Sequence, residues 1–150
     1  MFKPKPSVKE VTLNRVYQFS YENFVLATQS STYLFLEKSE NSIFGIKFNS
    51  RLVKYGSPND EARGGHPLSK YGLGFYGFFE VENSEWVREQ IELNRVHPRH
   101  SDTLFEGYKH YVACFQDVMF EVTSKSYVEF EISLSELSAL IQEQVNFIEQ

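Results

Sequence analysis

Between residues 11 and 19 the odd positions are Val11, Leu13, Arg15, Tyr17 and Phe19, and the even ones are mostly polar. A period of two predicts a half-buried strand. Residues 24–28 and 32–37 give two more strands, parted by a Gln-Ser-Ser turn. After a turn at Glu40-Asn41-Ser42, Phe44, Ile46 and Phe48 alternate with Gly45, Lys47 and Asn49. Asn49-Ser50 then reads as a reversal into a strand over 52–55. Residues 75–81 are aromatic-rich and strand-like.

The period then lengthens. Asn83 or Ser84 can cap a helix in which Trp86, Val87, Gln90, Ile91 and Asn94 recur at helical spacing. His97-Pro98 ends it, because the residue before proline is pushed away from helix. Ser101-Asp102 can cap a short helical turn through residue 108. Residues 111–123 form a long apolar strand with a break near Asp117. Ser124-Lys125-Ser126 reads as a hairpin turn, after which Val128, Phe130 and Ile132 alternate with polar residues. Ser133 with Glu136 makes a capping box for a last helix. Its apolar stripe is Leu134, Leu137, Leu140, Ile141, Val145 and Ile148.

No strand–helix–strand alternation runs through the chain, which argues against a doubly wound fold. The expectation is α+β: one domain over 1–150, built on a strongly curved antiparallel sheet closing towards a barrel. Two or three helices lie on one face, the amphipathic C-terminal one among them. Residues 1–9 read as a loose lead-in, because the X-Pro pairs of Lys3-Pro4-Lys5-Pro6 oppose helix. Residues 56–74 crowd Gly, Pro, Asn and Asp into the longest irregular segment, and such loops are usually functional or disordered.

Composition narrows the class. The chain has 14 Phe and 9 Tyr, which is not a disordered composition. One cysteine, Cys114, excludes an internal disulfide framework. No apolar run resembles a secretion signal or approaches the ~20 residues of a membrane span, so the expected compartment is the cytoplasm. The formal charge is −5. Residues 1–70 carry ten basic and six acidic residues, while residues 101–150 carry two basic and nine acidic ones. That balance speaks against a general nucleic-acid binder and suits a basic protein partner. Arg15, Tyr17, Phe19, Tyr21, Lys47, Arg51, Lys54 and Tyr55 could stack single-stranded nucleic acid, but aromatic residues that alternate as core leave few free to stack.

Gly72-Leu73-Gly74-Phe75-Tyr76-Gly77 matches a dinucleotide fingerprint by letter. It follows a loop and precedes a strand, so no helix N-terminus would meet the pyrophosphate. Turn glycines are the simpler reading, with positive φ at Gly72 and Gly74 and a bulge or close approach at Gly77.

The segment from Asn59 to Pro67 offers more. Asp60 or Glu61 could act as a general base, Arg63 could hold an anion, and His66 could move a proton or bind a metal. Turn chemistry by Asn, Asp, Gly and Pro explains the same residues. His97, His100 and Asp102 could ligate a divalent ion with His66 or His110, although Pro98 breaks the helical spacing that such sites use. Helix capping by these histidines competes with that reading. Cys114 and His110 would share one face of a strand at roughly 13 Å, too far apart to form a dyad. Asp117, Glu121, Glu129 and Glu131 place four carboxylates around one hairpin, and a solvated strand face explains them.

Two functions follow. The first is a small acidic cytosolic module that binds another protein or a small ligand without catalysis, in the manner of a stoichiometric inhibitor or immunity protein. Its cofactor is unknown. The alternative is a metal-assisted hydrolase, with His66, His97, His100 and His110 as ligands and Asp60, Glu61 and Arg63 as the catalytic set; a bound divalent metal is the less favoured reading.

Overall fold

A computed structural model describes residues 3–20 and 22–148. Seven strands form one sheet: β1 (Ser7–Glu10), β2 (Phe24–Ala27), β3 (Thr32–Lys38), β4 (Ile43–Gly56), β5 (Gly77–Glu82), β6 (Lys109–Phe115) and β7 (Val118–Ile132). Every pairing is antiparallel, in the order β1-β5-β6-β7-β4-β3-β2. β1 and β2 do not meet, so the sheet stays open. Two α-helices, α1 (Glu85–Asn94) and α2 (Leu134–Ile148), and three short 3-10 turns complete the fold. The architecture is α+β, with a curved sheet that stops short of a barrel.

The curvature has a local cause. β4 and β7 pair over almost their whole lengths, with register shifts between Phe48 and Ser50 and between Ser50 and Leu52. The polar stretches 49–50 and 124–126, expected as turns, both lie at this bulge. Small polar residues face one another where the two long strands bend together. Ser124 is fully buried, and its hydroxyl donates to the Asn49 and Ser126 carbonyls. Two chain reversals expected from the sequence are thus one bend in a continuous ladder.

Bending brings distant strands together on the concave face. β5 lies three strands from β4, about 14 Å in a flat sheet, yet the Phe48 and Phe78 rings are 6.1 Å apart. Leu34, Ile46, Phe48, Phe78, Tyr111, Phe115, Phe120 and Val122 fill this face. Residues 11–19 cross it without forming a strand. Their alternation is real: Val11, Leu13 and Phe19 pack on the core and Tyr17 is buried. Only the Val11 amide continues the pairing with β5, donating to the Phe78 carbonyl, while the Asn14 and Arg15 amides donate to the Glu129 carboxylate on β7. Period two reported one-sided burial, not a ladder.

The lead-in also differs from expectation. Residues 1 and 2 lie outside the described residues, while Ser7–Glu10 pairs with β5 as β1. The 111–123 strand is two strands joined at Gln116-Asp117, and Asp117 takes φ 56° there, a region Asp tolerates.

The opposite face of β5, β6 and β7 carries Phe79, Val81, Val112, Cys114 and Met119. Leu68, Tyr71 and Leu73 cover part of it, so the Gly-rich segment is a packed layer. α1 covers another part. Gln90 of α1 and Thr123 of β7, both buried, exchange side-chain hydrogen bonds at 3.1 and 3.2 Å. No helix of the described residues is long and apolar enough to cross a membrane.

Candidate functional site

The β6–β7 turn sets the site. It pairs Phe115 with Val118, and so Val112 with Glu121 and His110 with Thr123. His110, Glu121 and Thr123 therefore share the face under α1 and the irregular segment. Glu121 is inward and polar, and it gathers two imidazoles. His110 Nε2 lies 2.8 Å from its Oε1, and His66 Nε2 lies 3.1 Å from its Oε2. Ser84 Oγ, the N-cap of α1, lies 2.8 Å from His110 Nδ1 and accepts the Val87 amide. Trp86 packs edge-on over the His110 ring, and the Lys54 ammonium sits over the Trp86 ring.

Burial opposes charge on Glu121, yet hydrogen bonds from His110 and His66, and then their charge, outweigh it. Together they hold its carboxyl at about 2. The Leu68 amide donates to His66 Nδ1 at 3.0 Å, so the His66 ring proton sits on Nε2 and points at Glu121. Both nitrogens of His66 and both oxygens of Glu121 are engaged.

Ser84, His110 and Glu121 stand in the order of nucleophile, base and carboxylate. Ser84 nevertheless caps a helix and is only 6% exposed, with its hydroxyl closed into the network. Ligation of a metal by His66 Nε2 would need the proton moved to Nδ1, against the Leu68 amide; metal-bound histidines instead donate their other N–H to an acceptor.

Asp60 and Arg63 belong to a second knot. Arg63 is 3% exposed; its guanidinium donates to the carbonyls of Phe75, Phe115 and Val118 and pairs with Asp60 at 2.7 Å. Asp60 and Asp117 exchange backbone amides at 2.8 and 2.9 Å, and Tyr76 donates to Asp60. Arg63 thus ties the irregular segment to the β6–β7 turn. Its Nε is the one buried side-chain polar atom without a partner among the described residues. Glu61 is exposed.

His97 and His100 lie beyond α1, apart from this centre. His97 Nδ1 accepts the Arg99 amide, and His100 sits between Asn94 and Asp102. Only His66 and His110 converge, both on Glu121. Among the described residues no group of three or more His, Cys, Asp or Glu is placed to hold a metal ion. Cys114 is fully buried, and burial pushes its thiol up to about 12. Gly72 and Gly77 take positive φ, whereas Gly74 does not.

A cleft of about 460 Å³ opens beside the network, lined by Lys54, Tyr55, Arg63, His66, Met119 and Glu121 among others. Its titratable side chains other than Lys54 and Tyr55 are those already engaged inward.

The sequence pattern named Glu121 and Ser84 but did not join them to the histidines. The joining signal was the turn. A two-residue turn at Gln116-Asp117 fixes the register that puts Glu121 diagonally beside His110. The chain matches no protein-family model, no curated protein and no solved structure.

Proposed function

We propose that the protein is a non-catalytic interaction module that holds another protein chain through α2. The carrying observation is the uncovered apolar stripe of that helix. Leu134 is 68% exposed, Ile141 44%, Val145 43% and Ile148 81%. Exposed apolar side chains gathered along one side of a helix mark an interaction site. The closed state of the Glu121 and Arg63 knots supports the same reading, since their acids and bases face one another rather than a substrate.

The acidic surplus supports a basic partner less than its sequence position suggested. Asp102 contacts His100, Asp117 the Asp60 amide, Glu121 two histidines, Glu129 two amides and Glu131 Ser42. A photo-crosslinking residue at Val145, irradiated in native extract, should form an adduct with a protein chain. The adduct should vanish when Ile141→Asp is added. No adduct, or one indifferent to Ile141→Asp, would overturn the reading.

A further inference from the structure

β4 outlasts its neighbour in the sheet. β3 begins at Thr32, opposite Phe48, and the turn at 28–31 separates it from β2. Residues 51–56 of β4 therefore pair with β7 alone. Among the described residues, none of them makes a backbone hydrogen bond to any other segment. An antiparallel partner engages the amide and carbonyl of every second residue only, so the other residues of this stretch turn theirs to an open edge. Arg51, Leu52, Lys54, Tyr55 and Gly56 are exposed, and Val53 is half-buried. The edge is about 20 Å long, room for a strand of six residues.

Its two sides differ. Both cations of the stretch reach the α1 side. Arg51 is the extra residue of the bulge, and its guanidinium lies 3.5 Å from Asn94 of α1 and 4.3 Å above the Phe105 ring. The Lys54 ammonium sits 4.4 Å above the Trp86 ring of α1. Neither cation pairs with a carboxylate among the described residues. On the concave side, Val53 packs against the core and the Tyr55 ring meets Phe120. We infer that this edge takes an extended acidic peptide segment, added to the sheet as a strand in line with β3. Backbone bonds to residues 51–56 hold it. Its acidic side chains meet Arg51 and Lys54, and the alternate apolar ones meet Val53 and Tyr55. The same charges exclude a second copy of this edge, since antiparallel pairing would crowd two Arg51 and two Lys54 along one seam. The site is independent of α2, which leaves β7 at the other end of the ladder, beyond Ile132.

The test uses the purified full chain and a capped hexapeptide of alternating Glu and Val. As a strand, that peptide puts its carboxylates on one face and its isopropyl groups on the other. Trp86 is the single tryptophan, so a change in its fluorescence as Lys54 turns to a carboxylate reports the affinity. Amide exchange within residues 51–56 should slow by roughly tenfold or more at saturation, because the free edge becomes a ladder. Arg51→Glu with Lys54→Glu should weaken binding by roughly tenfold or more, and both side chains are exposed, so the fold should hold. Raising the salt to about 0.5 M should weaken it as well. The matching peptide of Lys and Val should not bind.

A second measurement leaves the protein untouched. The Glu-Val peptide methylated at every backbone nitrogen keeps its charge and loses its strand bonds, and it should not bind. Equal binding by the methylated peptide would overturn the inference, because charge alone would then suffice. Tighter binding of a short thymidine oligonucleotide, with no protection of residues 51–56, would assign the two cations to nucleic acid instead. Protection of 51–56 that rises with protein concentration in the absence of peptide would assign the edge to a second copy. Without protection at about 1 mM peptide the inference falls, whatever the fluorescence does.

Discussion

Gly45 shows how little room the bend leaves. It sits buried in β4, and a Cβ built there would lie 2.0 Å from the Leu34 carbonyl oxygen and 2.8 Å from the Phe130 ring. The first of these is backbone, so the neighbouring strand itself must move. Overpacking of this kind typically costs about 1–3 kcal/mol, and a clash with backbone belongs at the upper end. Gly45→Ala should therefore lower the urea midpoint by the equivalent of about 3 kcal/mol. Gly65→Ala should not, since nothing lies within 4 Å of its added Cβ. Equal midpoints for the two variants would show that β3 and β4 can part at Gly45 without cost. In the sequence Gly45 was only the small member of an alternating strand. Its need for close approach depends on Phe130, 85 residues away, and no local pattern carries that.

At the level of elements, legibility depended on whether the determining contacts were local. The two α-helices were legible because their caps are local. Ser133 and Glu136 exchange the reciprocal bonds of the capping box, and Ser84 accepts the Val87 amide. The strand at 11–19 and the turns at 49–50 and 124–126 were misread because their cause is tertiary. Alternation there reflects packing on the concave face, and the small polar residues serve a bulge. The candidate site was half legible: His66, Asp60 and Arg63 were singled out, but their partners Glu121 and Asp117 depend on register. Ser84 joins both levels, since it caps α1 and also contacts His110. Ser84→Ala removes a cap and leaves a buried imidazole nitrogen unpaired, together about 2 kcal/mol. Hydrogen exchange should show the first turn of α1 opening more readily in this variant, with β6 and β7 protected as before. Unchanged exchange at residues 85–88 would mean that the Gln90–Thr123 contact alone fixes the helix.

For the molecule as a whole, the irregular segment, α1 and the sheet share one buried carboxylate. Glu121 has an ordinary carboxyl value of 4.5, and hydrogen bonds from His110 and His66 hold it at about 2 in the fold despite the opposing effect of burial. A carboxyl depressed on folding stabilises the native state above its unfolded value, and that contribution disappears as pH falls through the folded one. The window is therefore roughly pH 4.5 down to 2, and the full contribution is on the order of 3 kcal/mol. The unfolding free energy should fall by about that amount between pH 5 and pH 2.5. Asp102 is also held below the ordinary carboxylate range, first of all by its hydrogen bond with His100, but it is exposed to solvent and screened. Glu121→Gln keeps the shape of the side chain and removes the titration, so it should begin less stable at pH 6 and lose much less on acidification. A variant as steeply pH-dependent as the parent would place the acid sensitivity elsewhere. The same carboxylate explains why a segment so rich in glycine is ordered. His66 reaches Glu121 from that segment and His110 reaches it from β6, while Arg63 holds the turn between β6 and β7. Acidification should accordingly expose residues 57–75 to exchange before the concave core opens, since that core contains no titrating partner of Glu121.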